Sequence, residues 1–166
     1  TYLDRIRKGK PIVLPGDGTS VWTMTHARDF AVGLLGLLGN ESALGEAFHI
    51  TGDELLTWNG IFETLGQHLG RAPEIRHLPS SAVVLADEEL GAGFWGDKAH
   101  SLVFDNSKIR RFVPEFDAAI TFAAGSKDIV AWYDEDPSRC EVEPDSDALQ
   151  DRLAGIHERL LGLAAE

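Results

Sequence analysis

The sequence has little of several things, and each shortage narrows the field. Among 166 residues there is one cysteine, Cys140, one methionine, Met24, and only two tyrosines, Tyr2 and Tyr133. A single thiol excludes an internal disulfide and a thiolate metal cage, and fits a reducing, cytoplasmic setting. Positive charge is scarce: fifteen Lys and Arg against twenty-seven Asp and Glu leave a net charge of −12. That balance opposes a phosphate backbone and an anionic membrane surface, so neither nucleic acid nor membrane is an expected partner. No apolar run reaches the length of a membrane span, and the first residues carry no signal-peptide core.

Catalytic signatures are missing as well. There is no GxSxG elbow, no HExxH helix, no Cys/His cluster and no GxxxxGK turn. The six histidines are scattered; His26, one helical turn before Asp29, reads as a structural residue beside a helix cap. The acidic stretch from Glu141 to Asp147 lacks the glycine and closing glutamate of a calcium loop and reads as a solvated face. What remains is an ordinary globular composition, 43% hydrophobic and 8% aromatic, long enough for one domain with a core.

Taken in order, Tyr2 to Lys8 has helical spacing and ends at Gly9, the pattern of a chain cut near the start of a helix. Pro11 to Pro15 reads as a strand, Gly16-Asp17-Gly18 as a turn, and Val21 to Thr25 as a second strand. Asp29 is placed to cap an apolar helix carrying Phe30, Ala31, Leu34, Leu35, Leu37 and Leu38. Within it Gly33-Leu34-Leu35-Gly36-Leu37-Leu38-Gly39 spells the GxxGxxG of a dinucleotide turn. The residues ahead of it, Thr25 to Asp29, are too polar for the buried strand such a turn requires, so the glycines are read as sites of close helix packing.

Downstream, Ala47 to Thr51 is expected as a strand. Thr57 opens a helix with Trp58, Ile61, Phe62, Leu65 and Leu69 on one face and Gly70 as its stop. Glu74 to Pro79 reads as a strand, Ser80 or Ser81 as a helix cap, Gly91 to Asp97 as a loop, and Ser101 to Asp105 as a strand. A helix is expected from Asp117 through Trp132. A last helix carries Leu149, Leu153, Ile156, Leu160 and Leu163 in one stripe, which docks on its own domain or, alternatively, builds a homodimer.

The order of these pieces resembles the extended short-chain dehydrogenases/reductases, the NAD-dependent epimerase/dehydratase family. The residues that carry the likeness are Gly16-Asp17-Gly18 followed by His26 and Asp29, the unit from Phe48-His49-Ile50-Thr51-Gly52 to Leu56-Thr57-Trp58, and Asp105 to Lys108 before Pro114. Phe112-Val113 stands where the family often has Leu-Gly. The resemblance implies an α/β fold, the C-terminal substrate lobe of an extended enzyme, spanning residues 1–166. Residues 26–52 would pack on an absent N-terminal Rossmann domain, and residues 53–166 would form the substrate lobe and C-terminal helices.

The family's tyrosine and the lysine four residues later are missing, since Ile6 and Pro137 stand at that offset from Tyr2 and Tyr133. The implied cofactor, NAD or NADP, therefore belongs to the intact protein, and no cofactor, catalytic residue or metal is expected on this chain alone. By the same likeness Val13, Leu14 and Pro15 match the strand that cradles substrate. Trp22 stands where nucleotide-sugar enzymes place an arginine on the substrate's phosphates; tryptophan offers a ring but no charge. With Trp95 it completes the expected small-molecule site. A less anionic carbonyl or hydroxyl compound is the implied substrate. The rival expectation is a non-catalytic small-molecule or regulatory binding module of the same descent.

Overall fold

Strand β1 (Pro11–Pro15) is buried on both faces and organises the chain. A computed structural model describes residues 1–163; the side chain of Leu163, last in the expected apolar stripe, lies outside the described residues. Because alternate strand side chains point to opposite faces, Ile12 and Leu14 enter one core with Ile6 of α1 (Tyr2–Lys8) and with Trp58, Ile61 and Phe62 of α3 (Trp58–Leu69). Val13 enters a second, with Leu78, Val83, Phe94, Leu153 and Ala154. β1 pairs in parallel with β4 (Glu74–Leu78), Leu14 lying opposite His77. Its free edge is partly served by Gln150, a buried side chain of α8 (Pro144–Leu163) whose Oε1 accepts from the Val13 amide at 2.9 Å. The final helix thus docks on its own domain through Leu149, Leu153 and Ile156.

A buried cation fastens the same helix to the first one. Arg5 is fully buried; its Nε donates to Pro11 O at 2.9 Å, and its guanidinium reaches Asp147 at 2.5 Å and Asp151 at 2.6 Å. Lys10 adds a bond to Asp147 at 2.6 Å. Both carboxyls are held below the usual carboxylate range, Asp147 first by Lys10 and Asp151 first by Arg5.

Several expected boundaries move, each for a visible reason. The strand from Val21 shortens to β2 (Val21–Trp22), which pairs antiparallel with β3 (Leu56–Thr57). Helix α2 (Ala27–Leu37) is capped by His26, whose Nδ1 accepts from the Arg28 amide at 3.2 Å; Asp29 instead accepts from the Ile120 amide at 2.9 Å. Residues 47–51 are unpaired in the described residues. They are held by Asn106, whose side-chain amide accepts from Thr51 N at 3.3 Å and donates to Thr51 O at 2.8 Å, the two bonds a neighbouring strand would make. Residues 101–105 form no strand either, although Leu102 N donates to Val21 O at 2.9 Å.

Ser80 and Ser81 do not cap α4 (Ser80–Ala86), which starts at Pro79 without a side-chain cap. The expected glycine-rich loop is helical, α5 (Glu88–Gly93) running into a wide π turn at Phe94–Lys98 whose first residue is buried in the second core. α6 (Ser107–Phe112) supplies Ile109 to a third core with Val113, Phe116, Phe48 and Ile50. α7 (Phe122–Glu135) begins later than expected, because Thr121 Oγ1 accepts from Ala124 N and Glu54 accepts from Phe122 N at 2.6 Å.

The glycines of α2 are packing sites. A Cβ on Gly33 would stand 2.6 Å from Ile50 Cγ2, and one on Gly36 would stand 2.3 Å from Val113 Cγ1. Helical and filled in this way, they do not fit a dinucleotide's phosphates, which need a helix N-terminus with open amides. The opposite side of α2 is apolar and exposed: Leu35 and Leu38 are each 66% accessible, and Phe30 and Leu34 are partly so. No helix among the described residues is long and apolar enough to cross a membrane.

Candidate functional site

Parallel strands leave their ligands at their carboxyl ends, and there β1 passes into the Gly16-Asp17-Gly18 turn. Gly16 N donates to Leu78 O at 2.8 Å and Gly18 N to Pro15 O at 3.1 Å, closing the turn against β4. Gly16 and Gly18 both lie at positive φ, +59° and +73°, and a Cβ on Gly18 would meet Asn59 Oδ1 at 2.1 Å, so only glycine fits this approach. A cavity of about 250 Å³ opens here, walled by Pro15, Gly16, Asp17, Thr19 and Ser20 on one side and by Ala99 and Ser101 on the other.

The hydroxyl protons of this cavity are largely committed. Thr19 donates both its hydroxyl, at 2.5 Å, and its amide, at 3.0 Å, to Asp17 Oδ1, and the hydroxyl above all holds the Asp17 carboxyl below the usual carboxylate range. Ser20 Oγ donates to Lys98 O at 2.6 Å, an oxygen that also accepts from Trp58 Nε1 at 3.0 Å. The same carbonyl therefore pins the π turn to both β2's approach and α3. Ser101 Oγ accepts from Val21 N at 3.0 Å and keeps its proton for a ligand. The lining presents an ionised carboxylate and hydroxyl lone pairs, one spare hydroxyl donor, and no cation.

Of the residues expected to bind substrate, Val13, Leu14, Pro15, Trp22 and Trp95, the structure brings only Pro15 to this cavity. Val13 and Leu14 turn their side chains into the two cores, because a strand covered on both faces has no side chain left for solvent, and the Val13 amide is already taken by Gln150. Trp22 is half-buried with its ring 5.6 Å from that of Trp58, part of the first core. Trp95 stands exposed on the π turn. Trp22 and Trp95 line neither this cavity nor a second, apolar one of about 450 Å³ between α1, α3 and α7. Sequence reasoning passed over Gly16, Asp17, Thr19, Ser20, Ala99 and Ser101 as lining residues; the first four belong to or directly follow the turn already in view, whereas the last two reach the cavity only through the π turn. No group of three or more His, Cys, Asp or Glu able to hold a metal occurs among the described residues.

Comparison with known proteins gives a consistent picture. No family model matches the chain. A 2'-dehydrokanamycin reductase of Streptomyces kanamyceticus is 30% identical over 119 residues, 69% of this chain and 32% of the reductase. A chloroplast stem-loop binding protein of Arabidopsis thaliana is 34% identical over 77 residues, 46% of this chain and 20% of that protein. The chain thus spans a fifth to a third of the length of these curated relatives. Among solved structures, the UDP-glucuronic acid 4-epimerase of Bacillus cereus in complex with UDP-glucuronic acid and NAD superposes with a TM-score of 0.61 at 20% identity, over 76% of this chain and 36% of the epimerase. The dTDP-glucose 4,6-dehydratase of Bacillus anthracis in complex with NAD gives 0.62 at 19%, over 83% and 39%. An epimerase from Methanothermobacter thermautotrophicus gives 0.65 at 17%, over 81% and 36%.

Proposed function

The chain has the α/β fold of the C-terminal part of the extended short-chain dehydrogenases/reductases, the NAD-dependent epimerases and dehydratases, and from that premise we propose that it is the substrate-binding portion of such an enzyme, inactive by itself. In this reading the intact protein acts on a carbonyl or hydroxyl compound, by hydride transfer that an N-terminal Rossmann domain and its NAD or NADP supply. Residues 26–52 are the segment that packs on that domain. Two features support this: the apolar outer side of α2, and an extended stretch at 47–51 whose backbone lacks a neighbouring strand.

The single observation that carries the substrate class is the lining of the cavity at the Gly16-Asp17-Gly18 turn. Its carboxylate and hydroxyl lone pairs accept hydrogen bonds, and among the described residues no guanidinium or ammonium group lines it. A pyrophosphate there would meet Asp17 without a compensating cation, whereas a ligand bearing hydroxyl or ammonium donors would be matched. The relative named as a 2'-dehydrokanamycin reductase favours reduction of a ketone over epimerisation of a nucleotide sugar.

The test is to express the continuous reading frame that includes Thr1 with its upstream portion and to follow reduced nicotinamide with two substrate panels. Turnover with uncharged or amino-substituted keto sugars, and none with nucleotide sugars, is expected; preference for nucleotide sugars would overturn the substrate class. The stem-loop binding relative favours a second reading, a binding module without chemistry. The charge of −12 opposes that reading for a phosphate backbone, and a salt-dependent gel shift on structured RNA would support it.

A further inference from the structure

Beneath the Gly16-Asp17-Gly18 turn runs a chain of hydrogen bonds whose directions are dictated by its backbone ends. Asn59 holds the turn twice: its amide donates to Gly18 O at 3.0 Å, and its Nδ2 to Asp17 O at 2.9 Å. A carbonyl oxygen only accepts, so the atom facing Asp17 O has to be the NH2 group, and Oδ1 is left facing His77 Nε2 at 2.8 Å. Oδ1 also only accepts, which requires a proton on His77 Nε2. One step further, His157 Nδ1 lies 2.9 Å from His77 O, again a pure acceptor, so this nitrogen carries the proton. The chain thus runs from α8 through β4 and α3 to the turn, with each donor fixed.

We propose that Asn59, oriented by His77, is the positioning residue of the cavity: it fixes both carbonyls of the Asp17-Gly18 turn and so sets the Asp17 carboxylate and the Thr19 hydroxyl where a ligand meets them. Absence of a Cβ at Gly18 allows the side chain to come this close. Thr19 and Asp17 bond to each other only two residues apart, so the direction in which this pair points follows the backbone of the turn that Asn59 holds. That a ligand binds in this cavity rests on the proposed function above; the hydrogen-bond directions do not.

The imidazole nitrogens of the full chain, labelled with ¹⁵N, test the assignment without any variant: His77 protonated at Nε2 and His157 at Nδ1 in their neutral forms. The reverse tautomer at His77 overturns it. Asn59→Ala and His77→Phe are expected to raise the Asp17 titration midpoint and to speed exchange of the Thr19 amide about tenfold, a loss on the scale of one net hydrogen bond. His77→Gln, which places an amide N–H near the position of Nε2, restores the slow Thr19 exchange, and the Asp17 midpoint is read in Asn59→Ala, which leaves His77 in place. Unfolding in general would move His157 too, whereas release of the turn leaves its tautomer unchanged. If Asp17 and Thr19 respond alike in the wild type, Asn59→Ala and His77→Phe, the positioning role falls whatever the longer protein catalyses. If they respond as expected and the longer protein transfers no hydride, the positioning role stands and the substrate reading falls.

Discussion

Replacing Arg5 by methionine removes the cation buried between the first and last helices. The guanidinium is inaccessible, whereas the Asp147 side chain is 20% and the Asp151 side chain 52% exposed. Deleting one partner of a buried ion pair costs about 3–5 kcal/mol. Here the carboxylates keep Lys10 and reach water, which lowers the electrostatic part, while Pro11 O and Asp147 O lose a donor. The unbranched methionine side chain fills most of the space, so the net loss is about 3 kcal/mol. For a domain of this size that is about 6–12 °C in melting temperature.

The sign of the pH dependence follows from the depressed carboxyls. Their contribution is fully present above the ordinary carboxylate value of about 3.9 and is lost as pH falls through their lower native values. The stability gap between wild type and Arg5→Met, measured by urea unfolding, should therefore be widest at neutral pH and narrow in acid. A loss under about 1 kcal/mol at neutral pH, or a gap that stays constant into acid, would refute the buried-clamp account.

Three further outcomes are expected. Gly36→Ala gains about 1 kcal/mol of helix propensity but drives its Cβ into Val113, so it should destabilise by about 1–2 kcal/mol net, and Val113→Ala in the same chain should recover most of that in thermal unfolding. Asn106→Ala strips both backbone partners from Thr51 and a donor from Asp53, and should cost about 2–4 kcal/mol, with hydrogen exchange rising first at residues 49–52. Self-association through the exposed apolar side of α2 is expected, so Leu35→Glu on α2 with Leu38→Glu at its C-cap should shift size-exclusion profiles of the chain toward monomer; a wild-type chain that is already monodisperse and monomeric would contradict it.

The sequence disclosed what depends on near neighbours. Gly9 and Gly70 stop their helices, Thr57 caps α3 with its Oγ1 3.0 Å from Gly60 N, and the alternation in β1 separates the two cores. What it hid depends on partners far along the chain. Asp29 looked like a cap because it opens an apolar run, but the Ile120 amide, ninety-one residues away, claims it and leaves His26 to cap α2. The stretch 47–51 has strand composition without a strand beside it, and Asn106 takes that place. Glycines at 91, 93 and 96 read as a loop, yet Gly91 is buried where a Cβ would stand 2.3 Å from the Val84 backbone, so close helix contact requires it. Residues 16–18 were legible as a turn but not as a cavity wall, and the second wall was hidden because Ala99 and Ser101 arrive there only through the π turn.

The most direct test of the central claim is equilibrium dialysis of reduced nicotinamide dinucleotide against this chain and against the same chain extended through its upstream reading frame. Binding by the extended protein and none by residues 1–166, whose Gly33 and Gly36 lie within α2 against Ile50 and Val113, is the expected result. Saturable binding by the chain alone, abolished by a substitution at Gly33 or Gly36, would contradict it.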